Sequence, residues 1–366
     1  MGLRDRALQL LAKGIGRVPM STSSWAIPPN WATEQYLKMY GNLGWLFGTV
    51  SRISSAVADA KWSLYTQRNG QRERVDDHVL LDLLHFVNPF QTGQELMELS
   101  QMYLDLVGEC FWYLASNGVG KPAEIWVIPP QRMKVVPSQR EFIAGWVYEM
   151  GTIRIPLDTK EIIQIKYPNP NDLYRGISPA QSITVDLQSE LYAARWNRDF
   201  FYNDASPGTV LSYPEQITDA EYERLKEQWR GKHGGMGNAH KTAIISGGAK
   251  IEKTMISQRD MDFGELRRIN RDVILAAYGV PYAILGGSES VNRANAEAAE
   301  FTFARWVVRP RLVRIREKLN EQLANRYDSN LELDFADPVP ENKDMQLKEA
   351  TDGVKTGFLM IDEARH

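Results

Sequence analysis

The stretch Tyr278-Gly-Val-Pro-Tyr-Ala-Ile-Leu-Gly-Gly-Ser-Glu-Ser-Val-Asn292 sets a break that any fold of this chain must accommodate. A helical pattern running up to Tyr278 stops there, a polar glycine loop follows, and an unusually long helical pattern begins. Gly279 can take the left-handed conformation that ends a helix, and Pro281 cannot continue one. Gly286 and Gly287 open a loop that carries no core residue, and Asn292 is suited to N-cap the helix beyond. A loop held by helices at both ends and free in the middle presents a small movable element into a cavity or channel.

A chain of 366 residues has room for two or three domain-sized units. Its 43% hydrophobic and 24% charged residues are those of a globular chain. Ten tryptophans and fifteen tyrosines are generous, and they suggest large buried or subunit-facing surfaces. The net charge of −3 gives no overall attraction to phosphate, so the chain is poorly suited to gripping DNA and better suited to letting it slide past. The single cysteine, Cys110, excludes an intrachain disulfide framework and points to a reducing compartment. Residues 1–16 lack an uninterrupted apolar run, so no secretory signal is expected. Leu43, Leu46, Phe47, Val50, Ile53 and Val57 share one helical face, which reads as a core helix and not a membrane span.

Periodicity predicts an α+β first region. It has helices from about Asn30 and from Thr92 to Val107, with strands near 61–65, 111–115, 124–128, 134–136, 145–150, 152–155 and 161–166. Ser178-Pro179 begins a helix with a capping serine and a proline at the first position, running to about Asn203. A small insert of strands and a helix follows. A helix then returns from about Met261 to Tyr278, with Phe263, Leu266, Ile269, Val273 and Ala277 on one face. After the glycine loop, helical spacing persists from Arg293 to Arg326, with a kink expected at Pro310. A late strand is expected over 331–335.

Chemistry finds little support. Gly234 to Thr242 nearly spells a phosphate-binding loop, with Gly235, Lys241 and Thr242 in register. His240 occupies the second required glycine, however, and a helix precedes where a strand is needed. His233 and His240 have no metal-ligand partners at suitable spacing. There is no nucleophile elbow. Asp76 and Asp77 fit a solvated surface or a helix cap better than an acid–base pair. Cys110 fits a buried structural thiol. Arg305, Arg309, Arg311, Arg314 and Arg316 alternate with apolar residues, which suits ion pairing on a packed helix at least as well as DNA contact.

Glu161-Ile-Ile-Gln-Ile-Lys166, Tyr174-Arg-Gly-Ile-Ser-Pro179, Ser206-Pro-Gly-Thr-Val-Leu211, and Tyr278-Gly-Val-Pro281 through Leu285-Gly286 occur in an order that resembles the portal proteins of tailed double-stranded-DNA bacteriophages. The likeness covers nearly the whole chain. It implies an α+β fold with an α+β wing (1–177), a first stem helix (178–204), a small α/β clip (205–258) and a second stem helix (259–279). A tunnel loop (280–292), a long kinked helix returning to the wing (293–340) and a short helical crown (341–366) complete the expected order.

The resemblance further implies a non-enzymatic protein without cofactor or metal. Such proteins form a ring of copies, usually twelve, at one capsid vertex, with no membrane involved. They let DNA through during packaging and ejection, and meet a large terminase, a head-tail adaptor, and the major capsid and scaffolding proteins. The location implied is the virion, after assembly in the host cytoplasm. Channel-facing residues would be Gly286, Gly287, Ser288, Glu289, Ser290, Val291 and Asn292. Glu289 repeated around a ring would repel phosphate and centre the duplex. Trp196, Phe200, Phe301, Trp306 and Arg309 are candidates for the contact between copies. Two other classes stay open on the residues alone: a nucleotide-binding enzyme using Gly234–Thr242, and an adaptor module that forms no ring. Neither explains the helix–insert–helix–loop–helix order.

Overall fold

The computed structural model describes residues 31–68, 71–202, 209–212, 218–224, 227, 250–253, 263–287 and 293–340. Two compact units emerge: residues up to Ser182 together with those from Leu275 onward, and the intervening Ile183–Ile274.

In the first unit, helices Gly44–Ala58 and Gly93–Val107 pack on each other. The first buries Leu46, Val50, Ile53 and Val57 of the face expected from its spacing, while Phe47, expected on that face, is exposed beside the Tyr40 ring. The second opens with a reciprocal cap. Thr92 accepts from the Glu95 N–H while the Glu95 carboxylate accepts from the Thr92 N–H, so two otherwise orphaned donors are satisfied. It closes at Gly108, whose φ of +89° lets the chain turn straight into β3 (Glu109–Ser116).

β3 is the centre of the unit. It lies antiparallel between β4 (Pro122–Ile128) and β8 (Ile162–Lys166) and is buried on both faces as far as Ala115. One of its faces presents Trp112, whose indole N–H donates to Ser100 Oγ at 2.7 Å. The other presents Phe111 and Tyr113 to a second antiparallel sheet of β5 (Met133–Ser138), β6 (Phe142–Met150) and β7 (Ile153–Leu157). There the rings of Phe111 and Trp146 meet edge-on with centroids 5.0 Å apart. Cys110 is fully buried on the same strand.

A third sheet pairs β1 (Trp62–Arg68) with β2 (Gln71–Val75) on one side and β11 (Leu331–Phe335) on the other. Asn320 of the long helix docks on it by donating to the Leu333 carbonyl and accepting from the Leu333 N–H.

The motif Tyr174 to Pro179 locks this unit. Arg175 reaches the buried Glu109 carboxylate at 2.5 Å and also donates to the Met133 carbonyl. Gly176 crosses Gly108 backbone to backbone. Ser178 Oγ accepts from the Gln181 N–H and donates to the Leu106 carbonyl, tying a new helix start to the end of an earlier one. The helix expected from Ser178 to about Asn203 is interrupted. A short Pro179–Ser182 turn ends at Ile183, and a helix of 19 residues, Thr184–Tyr202, follows.

The second unit is built on Thr184–Tyr202 and the returning helix Phe263–Tyr278 as far as Ile274, with β9 (Thr209–Ser212) antiparallel to β10 (Lys250–Lys253). Glu190 is buried between the two helices, where it accepts from Arg267 Nε at 3.0 Å and Asn270 Nδ2 at 3.2 Å.

Candidate functional site

The helix ending at Tyr278 stops as its residues dictate. The Val280 N–H donates to the Leu275 carbonyl and the Gly279 N–H to the Ala276 carbonyl, around a Gly279 φ of +72°. This paired arrangement satisfies two carbonyls that would otherwise be orphaned. Buried Val280 packs the exit, and Pro281 starts a single tight turn, Tyr282–Leu285. Gly286 closes that turn with φ of +80°. Gly287 lies under the Tyr282 ring, where an added Cβ would fall 2.1 Å from a ring carbon. Tyr282 in turn meets Trp45 with ring centroids 6.1 Å apart. Thus Gly286 and Gly287 are a fixed root for the segment beyond them. Ser288, Glu289, Ser290, Val291 and Asn292 lie outside the described residues, and the helix resumes at Arg293.

The break expected at Pro310 takes the form of a π turn. Helix Arg293–Phe303 passes into a wider turn, Ala304–Val308, where the Arg309 N–H donates to Ala304 five residues back. Helix Arg309–Gln322 follows directly, with Pro310 in its first turn just past the wider one. The helical pattern read as far as Arg326 ends at Gln322 and tightens into Ala324–Arg326.

The arginines of this helix are committed to the protein. Arg311 binds buried Asp105, Arg314 lies over the Tyr167 ring, Arg316 pairs with Glu317 and Asp334, and Arg309 pairs with Asp337 at 3.2 Å. Arg305 covers the rings of Phe301 and Trp306. Ion pairing therefore describes Arg309, Arg311 and Arg316, while Arg305 and Arg314 lie against aromatic rings.

Two faces carry apolar side chains in the open. On the long helix Trp306 is 66% exposed and Phe301 half-buried. On the helix pair Val185, Tyr192 and Trp196 are exposed along one helix, as are Leu266 and Ile269 on the other. The latter pair shows that the apolar face read on Phe263–Tyr278 is open at these two positions. The inward positions are Asn270, Ile274, Leu275 and Tyr278, while Leu266 and Ile269 point to solvent. Phe200 falls within its helix, and its side chain lies outside the described residues.

Asp76 is an exposed partner of Arg74, and the neighbouring helix Val79–His85 is capped by the His78 ring accepting from the Leu80 N–H. Burial pushes the Cys110 thiol far above its ordinary range, which leaves it inert. Gly234–Thr242, with His240 and Lys241, lies outside the described residues. Among the described residues no group of His, Cys, Asp and Glu could hold a metal ion, and no helix is long and apolar enough to cross a membrane.

Residues 45–366 match the family described as phage portal protein, and the chain belongs to that family. Portal proteins are structural and non-enzymatic, and so is this chain. A probable portal protein of Streptomyces phage phiC31 is 26% identical over 87% of this chain and 73% of its own length. The portal protein of Escherichia phage T5 is 24% identical over 87% of this chain and 76% of its own length. Among solved structures, the neck of an empty gene transfer agent particle, computed with C6 symmetry, aligns at TM-score 0.70 and 25% identity. That alignment covers 98% of this chain and 97% of the other. A portal protein of the HK97 family from Corynebacterium diphtheriae shares the fold at TM-score 0.60 and 14% identity, over 82% of this chain and 94% of the other.

Proposed function

We propose that copies of this chain assemble head-to-tail into a ring, of twelve by the usual family pattern, at one vertex of a capsid, and that the genome passes through the central channel. The observation that carries this reading is the end-to-end likeness to a particle neck at 25% identity. In this assignment residues 1–177 and 293–340 form a wing, 178–204 and 259–279 two stem helices, 205–258 a clip, 280–292 a tunnel loop and 341–366 a crown. The clip end meets a large terminase during packaging and a head-tail adaptor afterwards, while the wing side meets capsid and scaffolding proteins. The ring acts in the virion and is built in the host cytoplasm.

Physical features of the chain support the reading. A heterologous ring needs two different faces per subunit. Open apolar side chains occur on two separate elements, around Trp196 on the stem helix and around Trp306 on the long helix. A translocation channel should hold DNA weakly, because each tight phosphate contact is a barrier to the next step. A net charge of −3, with Arg311 and Arg316 of the long helix paired to Asp105 and Asp334, meets that need. Negative-stain electron microscopy of the purified protein, with native mass, tests the proposal. Rings with a central hole are expected, and a monodisperse monomer across a range of concentrations would overturn it.

A further inference from the structure

Asp105 lies near the end of helix Gly93–Val107 with no exposure to solvent. Its Oδ1 accepts from the Tyr167 hydroxyl at 2.9 Å and from Arg311 Nε and Nη2 at 3.2 and 3.0 Å. Its Oδ2 accepts from Gln101 Nε2 at 2.9 Å. Its backbone carbonyl accepts from the Tyr278 hydroxyl, also at 2.9 Å. Three of these donors are far away in sequence. Tyr167 follows β8, Tyr278 ends the helix before the glycine loop, and Arg311 lies on the long helix after it.

The same arginine reaches further. Arg311 Nη1 donates to the carbonyl of Val307, inside the π turn, at 2.9 Å. Val307 also flanks the helix stop, since a Cβ at Gly279 would lie 3.6 Å from Val307 Cγ2. The chain entering residues 288–292 and the chain leaving them are therefore fastened to one residue. A carboxylate held out of water costs several kcal/mol unless its charge is matched and its lone pairs are filled. Apolar side chains of similar volume often replace a buried ion pair without loss of stability. What the ion pair adds is direction: a guanidinium fork and a phenol hydroxyl each fit one geometry.

We propose that Asp105 is a positioning residue, setting where the two segments that flank residues 288–292 stand on the α/β unit. This rests on the reading of that stretch as the channel-facing loop. The Asp105 carboxylate acts through Arg311, directly on the outgoing segment and, by way of Val307 beside Gly279, on the incoming one, whereas the Tyr278 hydroxyl holds the main chain of residue 105 whatever its side chain.

Hydrogen exchange on the full-length protein tests the geometry. In Asp105→Asn, exchange should rise at least tenfold in peptides covering 276–287 and 301–314, with peptides of β3, β4 and β11 unchanged. A uniform rise across the unit, or no change, would overturn the proposal. Because that variant can fail to fold, Asp105→Leu with Arg311→Met serves as a second. Its thermal midpoint should lie above that of Asp105→Asn, because no charge is left buried without a partner, while the two flanking segments still lose protection. Equal protection in this variant would overturn the proposal. Packaging of nuclease-protected DNA then separates the two readings. Wild-type rings that package, beside double-variant rings that do so at least tenfold less, support the positioning role. Equal packaging by both overturns it. Wild-type protein that forms no ring and packages nothing overturns the portal reading and leaves the exchange result to stand alone.

Discussion

Gly108 and Gly176 cross so closely that a Cβ added at Gly176 would lie 2.0 Å from the Gly108 carbonyl oxygen. Backbone atoms cannot swing aside as a side chain can, so even one methyl group must push two segments of the first unit apart. Gly176→Ala should destabilise that unit by about 1–3 kcal/mol. Gly108→Ala should cost more, since it adds a left-handed φ of +89° to a clash with the Ile177 backbone. Thermal unfolding of each variant reads this directly, and a Gly176→Ala midpoint equal to wild type would sink the close-crossing account.

The Glu109–Arg175 pair beside that crossing should show itself through pH. Burial pushes Glu109 above the usual carboxylate range, while Arg175, Gln164 and the Gly176 N–H pull the other way. Arg175→Met removes the first of those pulls and leaves a buried carboxylate unmatched, at about 3–5 kcal/mol near pH 7. A carboxyl whose folded pKa is raised favours the fold below its unfolded value, about 4.3, and loses that contribution as pH rises through the folded one. The stability gap between wild type and Arg175→Met should therefore widen from pH 4.5 to 8. A gap that narrowed or stayed flat would refute the assignment.

Asp334 predicts the opposite slope. Burial raises it, but hydrogen bonds from Arg72, the Phe335 N–H and Arg316 outweigh burial and hold it below the usual range. Its contribution is present above the unfolded pKa and is lost as pH falls through the folded one. The cluster is partly open to solvent, so the effect should be small, about 0.5–1 kcal/mol, and weaker in high salt. Asp334→Asn should flatten the acid limb of a stability–pH curve; an unchanged limb would assign the acid sensitivity elsewhere.

Ring assembly should depend on the open tryptophans. Trp196→Ala and Trp306→Ala remove exposed side chains, so each should move the unfolding midpoint little, within about 0.5 kcal/mol. Each should nevertheless lower the ring fraction seen by native mass at micromolar protein. Full ring occupancy in both variants would remove these residues from the interface.

The centring role proposed for Glu289 is read from DNA packaging. Glu289→Lys turns a repelling ring into an attracting one, and should slow packaging more steeply at low salt than at high salt. Packaging and retention indistinguishable from wild type would end the idea.

Elements were legible wherever local chemistry and burial agreed. The Gly279–Pro281 stop, the Ser178 cap and the run of apolar residues through β3 can all be read from the chain. Periodicity failed where polar residues occupy the inward face. Ser100, Gln101 and Asp105 sit at core positions of their helix, and Asn270 does so on the returning helix. Gln101 and Asp105 bond each other within the helix, but Trp112, Tyr167, Arg311 and Glu190, which complete the set, come from distant segments that the helical pattern does not show. Leu266 and Ile269 misled for the converse reason, because apolar spacing marks a buried face without saying whether the same chain or another copy covers it. Pro310 announced a break, but not its form, a π turn just before it in which the Val307 carbonyl accepts from the Arg311 side chain.

The sealed thiol of Cys110 has a practical corollary. Labelling reagents attack the thiolate, and here the sulfur is both out of reach and strongly disfavoured as an anion. With one cysteine in the chain, the natural protein already serves as a blank background for thiol probes. A reporter cysteine placed at Ser290 or Trp306 would carry the whole signal, with no core substitution needed to silence the rest.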